Sequence, residues 1–318
     1  MKPNFLYLTL LCSLLSVSAC TDDHTGSESS DDKEFNYSMH DLPLDEQYQG
    51  PFDLGQLHDG QKLKEASGLV ASQQSKNLLW THNDSGDKAR IFAIDTTGKL
   101  LLEVTLEETT NRDWEDIAIA KNLNSTSESE FYLYIGDIGD NKAQYDSIQI
   151  HRIKEPVQFD TSAISLPKAE FETYNFIYPD GPKDAETLLV DPWTLDLYIV
   201  TKREKHTYVY WAPSPQDTYF TTELIEVAEI PFVGCVGGDI SPDGTKILLK
   251  DYNTIYSWKR ENGESLVEAF QRQPLEMPYV PEPQGEAVGW SANGEGYFTL
   301  SESAGDVTSH LYLYQLKR

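Results

Sequence analysis

Five phrases recur along this chain at near-constant spacing, and that repeat restricts the fold more than any other feature. They are "SGLVASQQSKNLLWTHNDSG" from Ser67, "EDIAIAKNLNSTSESEFYLYIGDIGDN" from Glu115, "ETLLVDPWTLDLYIVTKRE" from Glu186, "GDISPDGTKILLKDYN" from Gly238 and "EAVGWSANGEGYFTLSESAG" from Glu286. Each reads as a short apolar strand, a turn, and a second strand ending in polar residues. The turns "SPDG" (Ser241–Gly244) and "SANG" (Ser291–Gly294) supply Asp-Gly and Asn-Gly pairs, which tolerate the positive φ of a tight hairpin. A third strand follows each pair ("RIFAID", "IQIHRI", "TYVYWA", "TIYSWKR", "LYLYQLK"), and usually a fourth, such as "LLLEVTL" or "ELIEVAEI". Four strands per unit of about fifty residues make a propeller blade. The expected fold is all-β, a five-bladed β-propeller. An open β-sandwich is the alternative.

The repeats start at 67, 115, 186, 238 and 286, so the intervals are 48, 71, 52 and 48 residues. The long interval places an insertion in blade 2, between Lys142 and Asp180, where "KEPVQFDTSAISLPK" reads as an extended loop. The last repeat reaches Arg318 after its third strand. "PFDLGQL" (Pro51–Leu57) precedes the first repeat and is expected to supply the missing fourth strand, closing the ring and removing its open edges. The propeller is thus expected over 49–318.

The N-terminus reads as an address. Lys2 precedes the apolar run Phe5–Val17, which is short for a membrane span and the right length for a signal-peptide core. It ends in "VSAC", which resembles the bacterial lipobox. That resemblance implies a signal peptide over 1–19 and lipidation of Cys20, with ordinary signal cleavage as the alternative. The polar stretch 20–48 is expected to be a flexible tether, hanging the protein on the cell envelope. Of the remaining thiols, Cys12 lies in the removed segment. Cys235 has no partner and reads as a small buried residue. The chain has 52 acidic and 25 basic residues, a net charge of −27. So negative a surface repels phosphate backbones and argues against nucleic acid. A monomer is expected.

In a propeller the first strand of each blade lines the central channel. The aligned positions are Ser67, Glu115, Glu186, Gly238 and Glu286. Three carboxylates and a hydroxyl are expected to converge, and like charges so close call for a cation. Hard oxygen donors without His or Cys suit Ca²⁺. The alternative is a water-filled channel with Lys and Arg as counter-ions. Second strands finish at the same rim. Asp84 of "HNDSG", Asp137 of "GDIGDN", Lys202 and Arg203 of "TKRE" and Lys250 of "KDYN" are therefore expected to form a cup over the mouth. His82 reads as structural.

"EASGL…HNDSG", "DWEDIA…LYIGDIGDN", "DAETLLVDP…LYIVTKRE", "GDISPDG" and "GEAVGW" together resemble an uncharacterised family of exported bacterial propeller proteins. More distantly, the chain resembles the calcium-activated nucleotidases (apyrases), whose inner-strand ligands run Ser, Glu, Glu, Ser, Glu. Ser67, Glu115, Glu186 and Glu286 match four of these, and Gly238 departs at the fourth. The resemblance implies one central calcium. Two functions follow as expectations. In one, the protein is a metal-dependent hydrolase of a phosphoester or similar small anion. There Lys202, Arg203 and Lys250 would hold substrate charge, and Asp84 or Asp137 would orient water. In the other, it is a non-catalytic envelope scaffold whose partner is an envelope protein, and calcium staples the blades.

Overall fold

The computed structural model describes residues 35–318, apart from 59–61, 128, 160–161 and 304–307. The signal segment, Cys20 and the first part of the tether lie outside the described residues. Strand β1 (Tyr48–Gln56) precedes the first repeat. Blade 1 contains β2 (Ala66–Ala71), β3 (Leu78–Asn83), β4 (Arg90–Asp95) and β5 (Leu100–Leu106). The blade 2 region holds β6 (Trp114–Lys121), β7 (Phe131–Asp137), β8 (Ile148–Lys154), β9 (Ala163–Leu166) and β10 (Phe171–Ile177). Next come β11 (Ala185–Val190), β12 (Leu197–Thr201), β13 (Thr207–Ala212), β14 (Thr221–Glu223) and β15 (Ile225–Ile230). Blade 4 is β16 (Gly237–Ile240), β17 (Lys246–Lys250), β18 (Ile255–Lys259) and β19 (Leu275–Met277). Blade 5 contributes β20 (Gly285–Trp290), β21 (Gly296–Ser301) and β22 (His310–Leu316).

These strands form five sheets. The innermost strands β2, β6, β11, β16 and β20 contact one another in a closed ring. As expected, β1 completes blade 5 by pairing antiparallel with β22. Both ends of the propeller chain thus share one sheet, which leaves no gap between the last blade and the first.

The insertion is not a plain loop. Its β9 pairs parallel with β5 of blade 1, and β10 is the fourth strand of blade 2. In the same way β14, drawn from blade 3, pairs parallel with β10. Ahead of β1, Leu44 bridges in parallel to Glu276 of β19. Three outer edges are therefore covered by chain belonging to the next blade, which satisfies backbone groups that an open edge would expose. Packed structure also begins before the expected boundary at 49. Tyr37 donates its hydroxyl to Phe270 O at 2.8 Å, and Gln273 Nε2 donates to Ser38 O at 3.0 Å.

Five apolar slabs fill the spaces between neighbouring blades. Trp80 and Trp114 lie buried together in one slab, and Trp258 and Trp290 in two others. The inner strands β2, β11, β16 and β20 are buried at every residue, because both blade faces and the narrow channel exclude water. Burying one large apolar side chain is worth roughly 1.5–3 kcal/mol, so the slabs hold the ring together without disulfides. Cys235 is buried and unpaired. Its thiol lies 3.3 Å from Thr187 Oγ1 and is pushed up to about 12 by burial.

Candidate metal centre

The second residue of each inner strand stands at the channel mouth. These are Ser67, Glu115, Glu186, Gly238 and Glu286. In four blades the ladder to the second strand is interrupted at that residue by a bulge. A bulge re-aims the side chain it carries. Blade 4 pairs without interruption, Gly238 facing Leu249. A Cβ on Gly238 would meet Leu248 O at 2.6 Å and Thr187 Cγ2 at 2.9 Å. The fourth blade therefore has no room for a ligand side chain at this position.

The four expected ligands do not form one set. Ser67 commits its hydroxyl to Glu115 O, at 2.6 Å. Glu115 instead joins Asp84 and Asp113, with one oxygen from each within 4.8 Å of the others. Across the mouth, Lys202 donates its ammonium to Glu186. It also donates to Tyr252 Oη at 3.0 Å and lies 3.8 Å from Glu286 Oε1. Tyr252 in turn donates to Glu286 Oε1 at 2.6 Å. Glu186 and Glu286 thus share an internal counter-ion, while among the described residues Asp84, Asp113 and Glu115 form no ion pair. Glu186 Oε2 is buried and has no hydrogen-bond partner among the described residues.

Above this floor is a cup of about 240 Å³. Six carboxylates line it (Glu65, Asp84, Glu115, Glu186, Glu286 and Glu302), against the two cations Lys202 and Arg203. Burial, then the charges of Glu186 and Asp84, push Glu115 well above the carboxylate range. Asp84 is raised to about 6 by burial, with Asp113 and Glu286 adding repulsion. Burial and the charge of Glu286 raise Glu302 to about 7. Burial outweighs Lys202 at Glu186, which is also raised. Burial alone would lower the Lys202 ammonium, but Glu186 and Tyr252 lift it above the ordinary lysine value. Half-exposed Arg203 pairs with Asp184 and donates to Asn141 Oδ1, tying blade 3 to blade 2.

Two expected cup residues are elsewhere, and the ladder explains why. Asp137 and Lys250 are the last paired residues of their strands, opposite Trp114 and Gly237. Asp84 and Lys202 come one residue later, as does Glu302, with backbone N–H groups donating to Glu65, Asp184 and Gln284 O respectively. A shift of one residue turns a side chain to the other face. Asp137 is buried, accepts the Asp113 N–H at 3.0 Å, and has Arg112 Nε at 3.6 Å from its Oδ1. It braces the entry to β6. Lys250 is buried, donating to Asp251 O at 2.9 Å and to Gly285 O. It fastens blade 4 to blade 5. His82 is structural, its Nδ1 3.0 Å from Asn83 O and its ring edge-on to Trp114. Burial drops its pKa to about 4.

Asp113, Glu65 and Asp184 were not anticipated from the sequence. Glu65 stands two residues before Ser67, Asp113 two before Glu115 and Asp184 two before Glu186, and the two-residue period of a strand was the available signal. Gly139 was missed for another reason. A Cβ there would lie 2.2 Å from Glu115 Oε1 and 2.7 Å from Asp113 Oδ2, so "GDIGDN" carries its second glycine to admit the carboxylates. The three clustered oxygens, the buried orphan on Glu186 and this cradle fit a hard cation.

No family description matches the chain, and no curated protein matches it. Among solved structures, the Neurospora crassa Pan2 WD40 domain matches over 87% of this chain and 98% of that one, at 10% identity and a TM-score of 0.45. So distant a likeness carries no argument, and the five-bladed architecture stands on the strand order itself.

Proposed function

We propose that this protein is a lipid-anchored propeller of the bacterial cell envelope. In this reading its channel mouth binds one Ca²⁺ and its cup hydrolyses a phosphoester or similar small anion. The carrying observation is the imbalance at the mouth: six lining carboxylates against two cations, with the oxygens of Asp84, Asp113 and Glu115 clustered within 4.8 Å. Such a cup repels every anion until a cation enters it. Asp84, Asp113 and Glu115 would hold the ion, with Glu186 and Glu286 at its far side. Calcium would supply positive charge to substrate oxygens. Arg203 and Lys202 would hold the remaining substrate charge. Asp84, beside the ion, would orient the attacking water. This keeps the apyrase-like register and moves its weight to blades 1 and 2.

The second reading, a structural metal without turnover, draws on the Lys202–Tyr252–Glu286 network. That network already joins blades 3, 4 and 5. One experiment separates them. Calcium binding is measured by calorimetry, and phosphoester and nucleotide turnover is measured with and without calcium, for wild type and Lys202→Met. Turnover that needs calcium and is lost in Lys202→Met, while calcium still binds, supports the hydrolase. Calcium binding without turnover supports the scaffold. No calcium binding removes both. The anchor has its own test: Cys20→Ser should move the protein from the membrane to the soluble fraction, and persistent membrane association would refute lipidation.

A further inference from the structure

At the face opposite the cup, blades 2 and 3 enclose a second pocket of about 380 Å³. Its wall is one face of blade 2. Tyr134, Arg152 and Glu172 sit side by side across β7, β8 and β10. The Arg152 guanidinium lies 4.7 Å from the Tyr132 ring centre and 5.6 Å from that of Tyr174, and it ion-pairs with Glu172. Arg152 Nε is buried and donates to nothing among the described residues. The opposite wall is the loop Ser214–Thr218, which crosses from blade 3 and then pairs with blade 2 as β14. Gln216 Nε2 donates to Leu195 O at 3.0 Å, leaving the amide oxygen as an available acceptor. Asn124 adds a second amide.

Just beyond this loop, Tyr219 and Phe220 are 90% and 72% exposed. They are not loose. Both backbone N–H groups donate to Asp217 Oδ1, at 2.6 and 3.0 Å. The turn fixes the backbone of two exposed aromatic residues that follow directly after Thr218 of the pocket wall, an exposure that gains nothing for folding.

We infer that this inter-blade pocket, with Tyr219 and Phe220 at its lip, binds a neutral saccharide. The chain carries a net charge of −27, yet among the described residues the charged side chains lining the pocket are Arg152 and Glu172, which neutralise each other. An anion finds no uncommitted cation there, and a cation finds no uncommitted acid. Amides and hydroxyls both donate and accept, and sugar hydroxyls answer them in kind. Tyr132, Tyr134 and Tyr174 line the pocket, and the exposed rings of Tyr219 and Phe220 next along the chain offer faces that suit the C–H face of a pyranose ring. The volume suits a small ligand. A peptide added as a strand is disfavoured, because β14 already occupies the outer edge of β10.

The test is calorimetry and saturation-transfer NMR on the purified protein with chitotriose, maltotriose and cellotriose. At least one should bind saturably. Replacing both lip aromatics (Tyr219→Ala with Phe220→Ala) should weaken it by about tenfold, the scale of one aromatic contact. Those two rings lie outside the core, so the variant should melt with wild type. Asn124→Ala, inside the pocket, should also weaken binding. Chelation of calcium and Glu115→Gln should leave it unchanged. Three results would each overturn the inference: no saturable binding by any of the three sugars, binding indifferent to both pocket variants, or binding that tracks Glu115.

Discussion

Gly139 is the residue on which the channel mouth is most tightly gauged. Its missing side chain lets the backbone of "GDIGDN" close over Glu115 and Asp113. Gly139→Ala should displace both carboxylates, costing roughly 1–3 kcal/mol as overpacking does and weakening calcium binding. Thermal melts and calorimetry would check this, and unchanged calcium affinity would disprove the cradle. Asp84 and Asp137 make the complementary point. Both are acids raised to about 6 by burial, yet only Asp84 lines the cup. A raised pKa alone does not put a carboxylate in the cup; one residue of ladder register does.

At the scale of elements, the bulges separate four blades from the fifth. Gly238 sits where the resembled family has a serine ligand, but its strand is unbulged and closed by Leu248 O. Gly238→Ser should therefore lower stability by roughly 1–3 kcal/mol without improving calcium affinity. A tighter calcium isotherm would contradict this. The edge strands were invisible to a reading that sought repeats, since "TSAISLPK" and "DTYFTTE" belong to no repeat and pair in neighbouring blades. Ile164 lies opposite Val104 in the parallel pair. Ile164→Pro should strip that cover from blade 1, and an uncovered edge invites association. Light scattering on heating should show earlier aggregation while the calcium isotherm stays unchanged.

For the whole molecule, the mouth ties stability to protons and, under the proposed function, to calcium. Asp84 and Glu302 have folded values of about 6 and about 7, above the ordinary value near 4. The folded state therefore holds extra protons between those limits. Their contribution is fully present below about pH 4 and is lost as pH rises through the folded values. Metal-free protein should lose stability from about pH 4 to 7. Calcium competes with those protons, so the rise in melting temperature on adding calcium should grow across the same window. A hundredfold excess over its dissociation constant would give about 2.7 kcal/mol. Differential scanning calorimetry at several pH values, with chelator and with calcium, would test both slopes. A calcium shift independent of pH would mean that Asp84 is not among its ligands.

The blade number, the closing strand before Leu57 and the placing of Ser67, Glu115, Glu186 and Glu286 at one rim were all legible in the sequence. They rest on strand periodicity and turn chemistry, which act over a few residues and recur with the repeat. Only the tertiary structure decided who meets whom at that rim. It joined Glu115 to Asp84 and Asp113, set Lys202 between Glu186 and Glu286, and turned Asp137 and Lys250 away. Those outcomes depend on bulges and on single-residue offsets between strands from different blades. Repeat spacing is blind to such offsets, and a two-residue period makes each of them a choice between the cup and the core.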